Sequence, residues 1–188
     1  MLLAALHAIP DHRRAQGRMY DLPHILLLSV LAMLSQADSY RKIESFIKIH
    51  FHTLKDEFGF KWKKPPGYTT IRNIIQGTNS DELEKVFRLY SKTLLESIRT
   101  QDAHPEAKAP LILACDGKTL RGSFDHFQDK KAIQVLSVFA VDEQIILAHE
   151  DIEDKKTNEI PRMQKVIKKL GLEGCLFTAD AMNCQKKQ

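Results

Sequence analysis

The stretch Leu111-Ile112-Leu113-Ala114-Cys115-Asp116-Gly117-Lys118-Thr119-Leu120-Arg121-Gly122-Ser123 decides the reading of the fold. Five apolar or small residues run straight into Asp116, and a basic, glycine-containing tail follows. A short apolar run bounded by turn residues predicts a fully buried strand. A carboxylate at the end of such a strand sits where open α/β sheets place their ligands. Residues 174–179 (GCLFTA) have the same form and run into Asp180. Two carboxylates converging from neighbouring strands would offer a divalent cation the hard oxygen ligands it requires. Asp-Gly is also a common turn pair, so a turn role for Asp116 stands as the alternative. Asp180, followed by Ala181, repeats the pattern without the turn pair.

Working outward, residues 100–110 are polar and carry Pro105 and Pro110, which marks a domain boundary. Downstream, residues 131–142 (KAIQVLSVFAVD) and 144–150 (QIILAHE) predict two strands joined as a hairpin at Asp142-Glu143. Residues 159–170 have helical spacing in Ile160, Met163, Ile167 and Leu170, with Gly171 as the stop. The order is β-β-β-α-β. A right-handed crossover then brings the last strand parallel to an earlier one. If that neighbour is the first strand, Asp116 and Asp180 meet at one end of the sheet. The expected fold class is α+β, with an all-helical domain over 1–105 and a second domain of strands and one helix over 106–188.

The first domain reads as helices. Residues 2–9 are a short apolar helix stopped by Pro10, which cannot donate a backbone bond. Residues 11–18 are polar and basic, either a solvated connector or a phosphate-contacting arm. Asp21 as N-cap and Pro23 in the first turn start a helix that is apolar on nearly all sides and should form the domain's centre. Ser39 caps a helix from Tyr40 to about His50. A loop over 59–67 holds Trp62, Lys61, Lys63, Lys64 and Pro65-Pro66. A short helix follows, capped by Thr69 or Thr70 and ended by Gly77. Ser80 caps a longer one, to about Arg99.

Charge is concentrated in this domain. The net charge of the whole chain is +4, yet residues 39–76 carry eight Lys or Arg against three acids. A basic helical segment with an aromatic-basic loop points to a polyanion. The order of helix, loop and Thr-led helix suits a helix-turn-helix variant. Its candidate DNA contacts are Arg41, Lys42, Lys61, Lys63, Lys64, Thr69, Thr70, Arg72 and Asn73. A solvated basic face of a helical bundle is the alternative. Lys118 and Arg121, just past Asp116, are candidates for contact with a nucleic-acid strand; a solvated loop is the alternative.

The three cysteines, Cys115, Cys175 and Cys184, form no C-x-x-C pair and read as small buried hydrophobes in a reducing compartment. The apolar run over 22–34 is too short to span a bilayer. The expectation is a cytoplasmic protein with no membrane partner.

Taken together, these motifs resemble a known family. CDGKTLRGSFD, Lys130-Lys131-Ala132-Ile133-Gln134-Val135-Leu136-Ser137, Asn158-Glu159-Ile160-Pro161 and Thr178-Ala179-Asp180-Ala181-Met182-Asn183-Cys184-Gln185-Lys186 are similar to ISAs-type, or H-repeat-associated, insertion-sequence transposases of the DDE class. So are Ile9-Pro10-Asp11-His12-Arg13-Arg14, Ser39-Tyr40-Arg41-Lys42-Ile43 and Tyr68-Thr69-Thr70-Ile71-Arg72. The resemblance implies an RNase H-like catalytic core, with Asp116 and Asp180 as the first two acids of the triad. It also implies Mg²⁺-dependent DNA cleavage and strand transfer at transposon ends, with DNA as partner. Two departures are visible. Asn183 stands where the family usually has His, and the eight residues after Asp180 (AMNCQKKQ) contain no acid. The expectation is a truncated copy that lacks the third acid, binds Mg²⁺ weakly or not at all, and binds DNA without cutting it. It would act as a non-catalytic or regulatory fragment, alone as a homo-oligomer or with a full-length relative.

Overall fold

Leu22–Leu34 is apolar on nearly every side, and such a helix must be wrapped by others. That is its position in the computed structural model, which describes residues 2–101, 110–119, 134–152 and 159–179. The chain divides into two compact units, Met1–Val86 and Phe87–Gln188.

The first unit contains α1 (Leu2–Leu6), α2 (Leu22–Leu34), α3 (Tyr40–Ile49), α4 (Phe51–Phe58), α5 (Tyr68–Gly77) and the start of α6 (Ser80–Gln101). Helix α2 packs against α1, α3 and α5. Its Leu22, Ile25 and Leu28 are fully buried, together with Ile47 of α3 and Ile71 of α5. Truncating Ile25 or Leu28 to Ala costs about 2–5 kcal/mol, the usual range for a core cavity. At 13 residues α2 is roughly 20 Å long, short of a bilayer's hydrocarbon core of about 30 Å, and its burial is that of a core helix.

Local chemistry sets the helix ends. Past Leu6, three-residue backbone bonds continue the turn to Ile9, just before Pro10. Ser39 caps α3 as its position suggests, its hydroxyl accepting from the Lys42 amide. Helix α4, between that element and the 59–67 loop, has no counterpart in the sequence reading. Gly59, at φ 71°, ends it in the left-handed conformation that glycine adopts without a Cβ clash. Two expected caps differ. Helix α5 starts after Gly67, which is extended, so Thr69 and Thr70 lie inside the helix rather than capping it. Helix α6 is capped by Asn79, whose Oδ1 accepts from the amides of Asp81 (2.8 Å) and Glu82 (3.1 Å), and Ser80 is already helical.

The second unit holds a four-stranded sheet in the order β3-β2-β1-β4. The strands are β1 (Leu111–Thr119), β2 (Gln134–Ala140), β3 (Ile145–Ile152) and β4 (Cys175–Ala179), with α7 (Glu159–Leu170) between β3 and β4. β1 and β2 are antiparallel, as are β2 and β3; β4 is parallel to β1. A bulge on β3 lets Leu147 and Ala148 both point into the core, where they join Leu113, Cys115, Leu136, Val138 and Val166. Leu95 of α6 belongs to this core, whereas Val86 belongs to the helical one. Hence the units part inside α6 rather than at the polar 100–110 stretch. Arg99 of α6 pairs with Glu143 in the β2–β3 turn (3.0 Å), and Lys169 of α7 with Glu150 of β3 (2.6 Å).

Candidate nucleic-acid interface and strand-borne carboxylate

In the first unit, the 59–67 loop alternates. Phe60, Trp62 and Pro66 point into the core, and Lys61, Lys63 and Lys64 are exposed. Trp62 is 4% exposed; its ring packs on Phe60 (4.3 Å between centroids) and edge-on to Tyr20 (5.1 Å). The Trp62 indole N–H donates to Asp21 Oδ1 at 2.7 Å, and the Trp62 carbonyl accepts from Lys55 Nζ at 3.0 Å. The lysines are therefore displayed from an anchored loop. The aromatic of this basic-aromatic loop serves as the anchor and is not free to stack on a base.

Asp21 occupies the N-cap position of α2 but makes no side-chain cap bond. Its carboxylate accepts instead from Trp62 and pairs with His24 Nδ1. Burial works against charge on Asp21, but the hydrogen bonds from His24 and Trp62 outweigh it and hold the carboxyl below its ordinary value. The other ring nitrogen of His24 lies 3.0 Å from the Phe58 carbonyl. His24 thus links Asp21, at the start of α2, to the end of α4, where the lysine loop begins.

The remaining candidates divide by their partners. The Arg41 guanidinium lies 4.9 Å over the Tyr68 ring, tying α3 to the start of α5. Lys42 pairs with Asp38 (2.8 Å). On α5, Ile71 and Ile74 are buried, while Thr69, Arg72 and Asn73 are exposed on the opposite side. Thr70 is half-buried. Gln76 continues the exposed side and accepts from Arg72 Nε at 3.2 Å. The sequence reading missed Gln76, although its spacing from Thr69, Arg72 and Asn73 was visible. The basic connector before α2 is internally tied. Arg13 is bound to Asp11, Gly17 and Tyr20, and Arg18 to the Asp11 and Arg13 carbonyls.

In the second unit, Asp116 is in neither a turn nor a strand end. β1 runs three residues beyond it, pairing Asp116 with Ser137, Gly117 with Leu136 and Lys118 with Val135. The turn reading of Asp116-Gly117 and the loop reading of Lys118 are both corrected, because β2 extends the ladder past Asp116. On its other side, the described pairing with β4 ends at Cys115↔Ala179. Asp116 is the next β1 residue after the last described pair. Its carboxylate is 64% exposed, and Lys118 Nζ (79% exposed) lies 3.3 Å from it. Cys115, one residue earlier, faces the core, and burial pushes its thiol up. Asp180, Arg121 and Cys184 lie outside the described residues. Among the described residues no group of three or more His, Cys, Asp or Glu comes together as a metal site.

Comparison with known proteins supplies the family. Residues 3–91 match the family described as DDE_Tnp_1-associated. "Putative transposase YncI" of Escherichia coli K12 is 33% identical over 98% of this chain and 70% of its own length. "H repeat-associated putative transposase YhhI" of the same strain is 30% identical over 98% of this chain. The chain belongs to the H repeat-associated transposases. A further relative of this group, "H repeat-associated putative transposase YbfD", is 29% identical over 98% of the chain and 68% of its own length. The chain spans about half of some relatives, 46% of YhhI, and corresponds to the N-terminal part of such a transposase. No solved structure matches it.

Proposed function

We propose that this chain is the DNA-gripping part of an H repeat-associated transposase, together with the first portion of its catalytic domain. It binds the ends of the mobile element in the cytoplasm through the helical unit. The observation that carries this is the display of Lys61, Lys63 and Lys64 from a loop pinned by Trp62 and Asp21. Phosphate contacts by fixed lysines give affinity that falls steeply with salt.

The sheet supports an RNase H-like reading, with β4 parallel to β1 at the side away from β2. The last described parallel pair is Cys115↔Ala179, and an Asp follows each partner in sequence. Asp116 is exposed and presents hard oxygens, which fits Mg²⁺ once the Lys118 ammonium gives way. Asp116 and Asp180 would hold the ion, which in the intact family supplies activation of water or a DNA 3′-OH and charge relief at the leaving oxygen. Lys118 and Arg121 would approach the scissile strand. The chemistry that the resemblance implies uses three acids, of which Asp116 and Asp180 are two, so cutting requires a further carboxylate beside this pair. The chain pairs with itself or with a relative for any further step.

Fluorescence anisotropy of the whole chain with a labelled 30-base-pair duplex, from low to moderate salt, tests the reading. Replacing Lys61, Lys63 and Lys64 by Ala should lower the slope of log affinity against log salt by up to about 3, near 0.9 for each phosphate no longer neutralised. A slope that stays at the parent value ends the assignment of those lysines. Nicking of supercoiled plasmid by these 188 residues with Mg²⁺, abolished by Asp116→Ala, would overturn the requirement for a third acid.

A further inference from the structure

We infer that α5 is the element that reads base sequence, through the stripe Thr69, Arg72, Asn73 and Gln76. The lysines of the preceding loop then supply contacts indifferent to sequence. This rests on the DNA-binding reading above and assigns separate tasks within it.

The stripe follows helical geometry. Its members are spaced i, i+3, i+4 and i+7 and all are exposed, while Ile71 and Ile74 seat the helix from behind and Ile75 is half-buried. Ten residues make a rod about 15 Å long, which enters a major groove roughly 12 Å wide and meets several consecutive base pairs.

Composition separates this stripe from a merely solvated one. Lysines on α3 and α6 have an acid one turn away, Lys48 with Glu44 and Lys85 with Glu82. The α5 stripe has no acid and no lysine. It has one guanidinium, two carboxamides and a hydroxyl. Guanidinium is the fork that matches guanine O6 and N7, carboxamides match adenine N6 and N7, and Thr offers a methyl to thymine. Arg72 is held along the helix by Gln76 at 3.2 Å, which limits the rotamer freedom it would lose on binding. Arg41, over Tyr68, and Lys42, on Asp38, have other engagements. Their tasks are to position α5 and to shape the field around it.

The test is selection from a random 20-base-pair duplex pool by the whole chain, followed by anisotropy on the selected duplex and a scrambled one. The expected parent result is a short consensus. Asn73→Ala and Arg72→Ala should each cut the ratio of selected to scrambled affinity by roughly 5- to 100-fold and blur the consensus at one or two positions. Affinity for the scrambled duplex should change less than about threefold for Asn73→Ala, and its salt slope should stay put. Both side chains are exposed, so a melting curve matching the parent confirms folding. An alanine triple at Lys61, Lys63 and Lys64 should lower both affinities alike and keep the consensus. Salt-dependent binding without any consensus, or a consensus unmoved by both α5 variants, overturns the inference and leaves the DNA-binding reading standing. An absence of salt-dependent binding, or preference for single-stranded RNA over duplex, overturns both.

Discussion

Trp62 donates its indole N–H to Asp21 Oδ1 across 41 residues of sequence, at 2.7 Å, and this bond joins the start of α2 to the lysine loop. The ring is nearly sealed from water, and the carboxylate is shared with His24. Trp62→Phe keeps the apolar packing and removes the donor. It should cost about 1–3 kcal/mol, the range for leaving a partly buried acceptor unpaired. Trp62→Ala also opens a cavity between Phe60 and Tyr20 and should cost about 3–5 kcal/mol. Urea melts of the two variants separate hydrogen bond from packing. A Trp62→Phe midpoint equal to the parent's would mean that the bond contributes nothing.

Stability at low pH follows from the same carboxylate. Hydrogen bonds hold Asp21 below its ordinary value in the folded chain despite its burial, and Arg13 does the same for Asp11, chiefly through a side-chain hydrogen bond. Depressed folded values mean that the unfolded chain takes up protons first as pH falls. The stabilisation is complete above the ordinary aspartate range, near pH 4, and is lost as pH drops through the folded values. Melting temperatures from pH 6 to pH 2 should fall for the parent, and the gap between parent and Asp21→Asn should narrow toward the acid end. A gap that widens on acidification would contradict the assignment.

Much of this was legible in the sequence. The position of α2, the Ser39 cap and the hairpin follow from periodicity and turn chemistry; the crossover makes the last strand parallel to an earlier one, and the pairing with β1 settles which. Asp21 was legible as an N-cap by place but not by task. Its hydrogen-bond partner Trp62 is 41 residues away, and no local rule sees that far. Helix α4 hid behind α3 because Phe51 and Leu54 continue an apolar pattern through the break at His50. Asp116 read as a strand end because Gly117 follows it, whereas β2 supplies a partner strand that carries β1 on to Thr119. Tertiary pairing decided the first and the last of these, and a continuous apolar pattern hid α4.

Arg41 should act on α5 through Tyr68 rather than as an independent charge. A stacked guanidinium at an exposed site contributes about 0.5–1 kcal/mol, and lysine stacks less well than arginine on the same ring. Arg41→Lys keeps the charge and should lose part of that stability and some DNA affinity with the salt slope unchanged. Arg41→Ala should lose both and reduce the slope by no more than about 1. If Arg41→Lys matches the parent in thermal and binding measurements, charge alone is what the position supplies.

Asp116 and Lys118 make opposing forecasts for divalent metal. The two side chains are both well exposed and 3.3 Å apart, so their pairing is worth at most about 1 kcal/mol to stability. Substituting either should leave the melting temperature close to the parent's, as is usual at exposed positions. Metal binding should respond differently. Asp116→Asn removes an anionic oxygen ligand and should weaken Mn²⁺ binding, read from water proton relaxation. Lys118→Ala removes the cation that competes for that oxygen and should strengthen Mn²⁺ binding by a few-fold, the equivalent of the pair's modest energy. A general change in surface potential would give the same two signs, so salt separates a ligand from a bystander. Screening at about 1 M salt shortens the reach of a bare potential to roughly 3 Å, whereas the loss of a direct ligand persists. The deficit of Asp116→Asn should therefore survive high salt. Equal Mn²⁺ affinity in the parent and Asp116→Asn under those conditions would remove this carboxylate from any metal site.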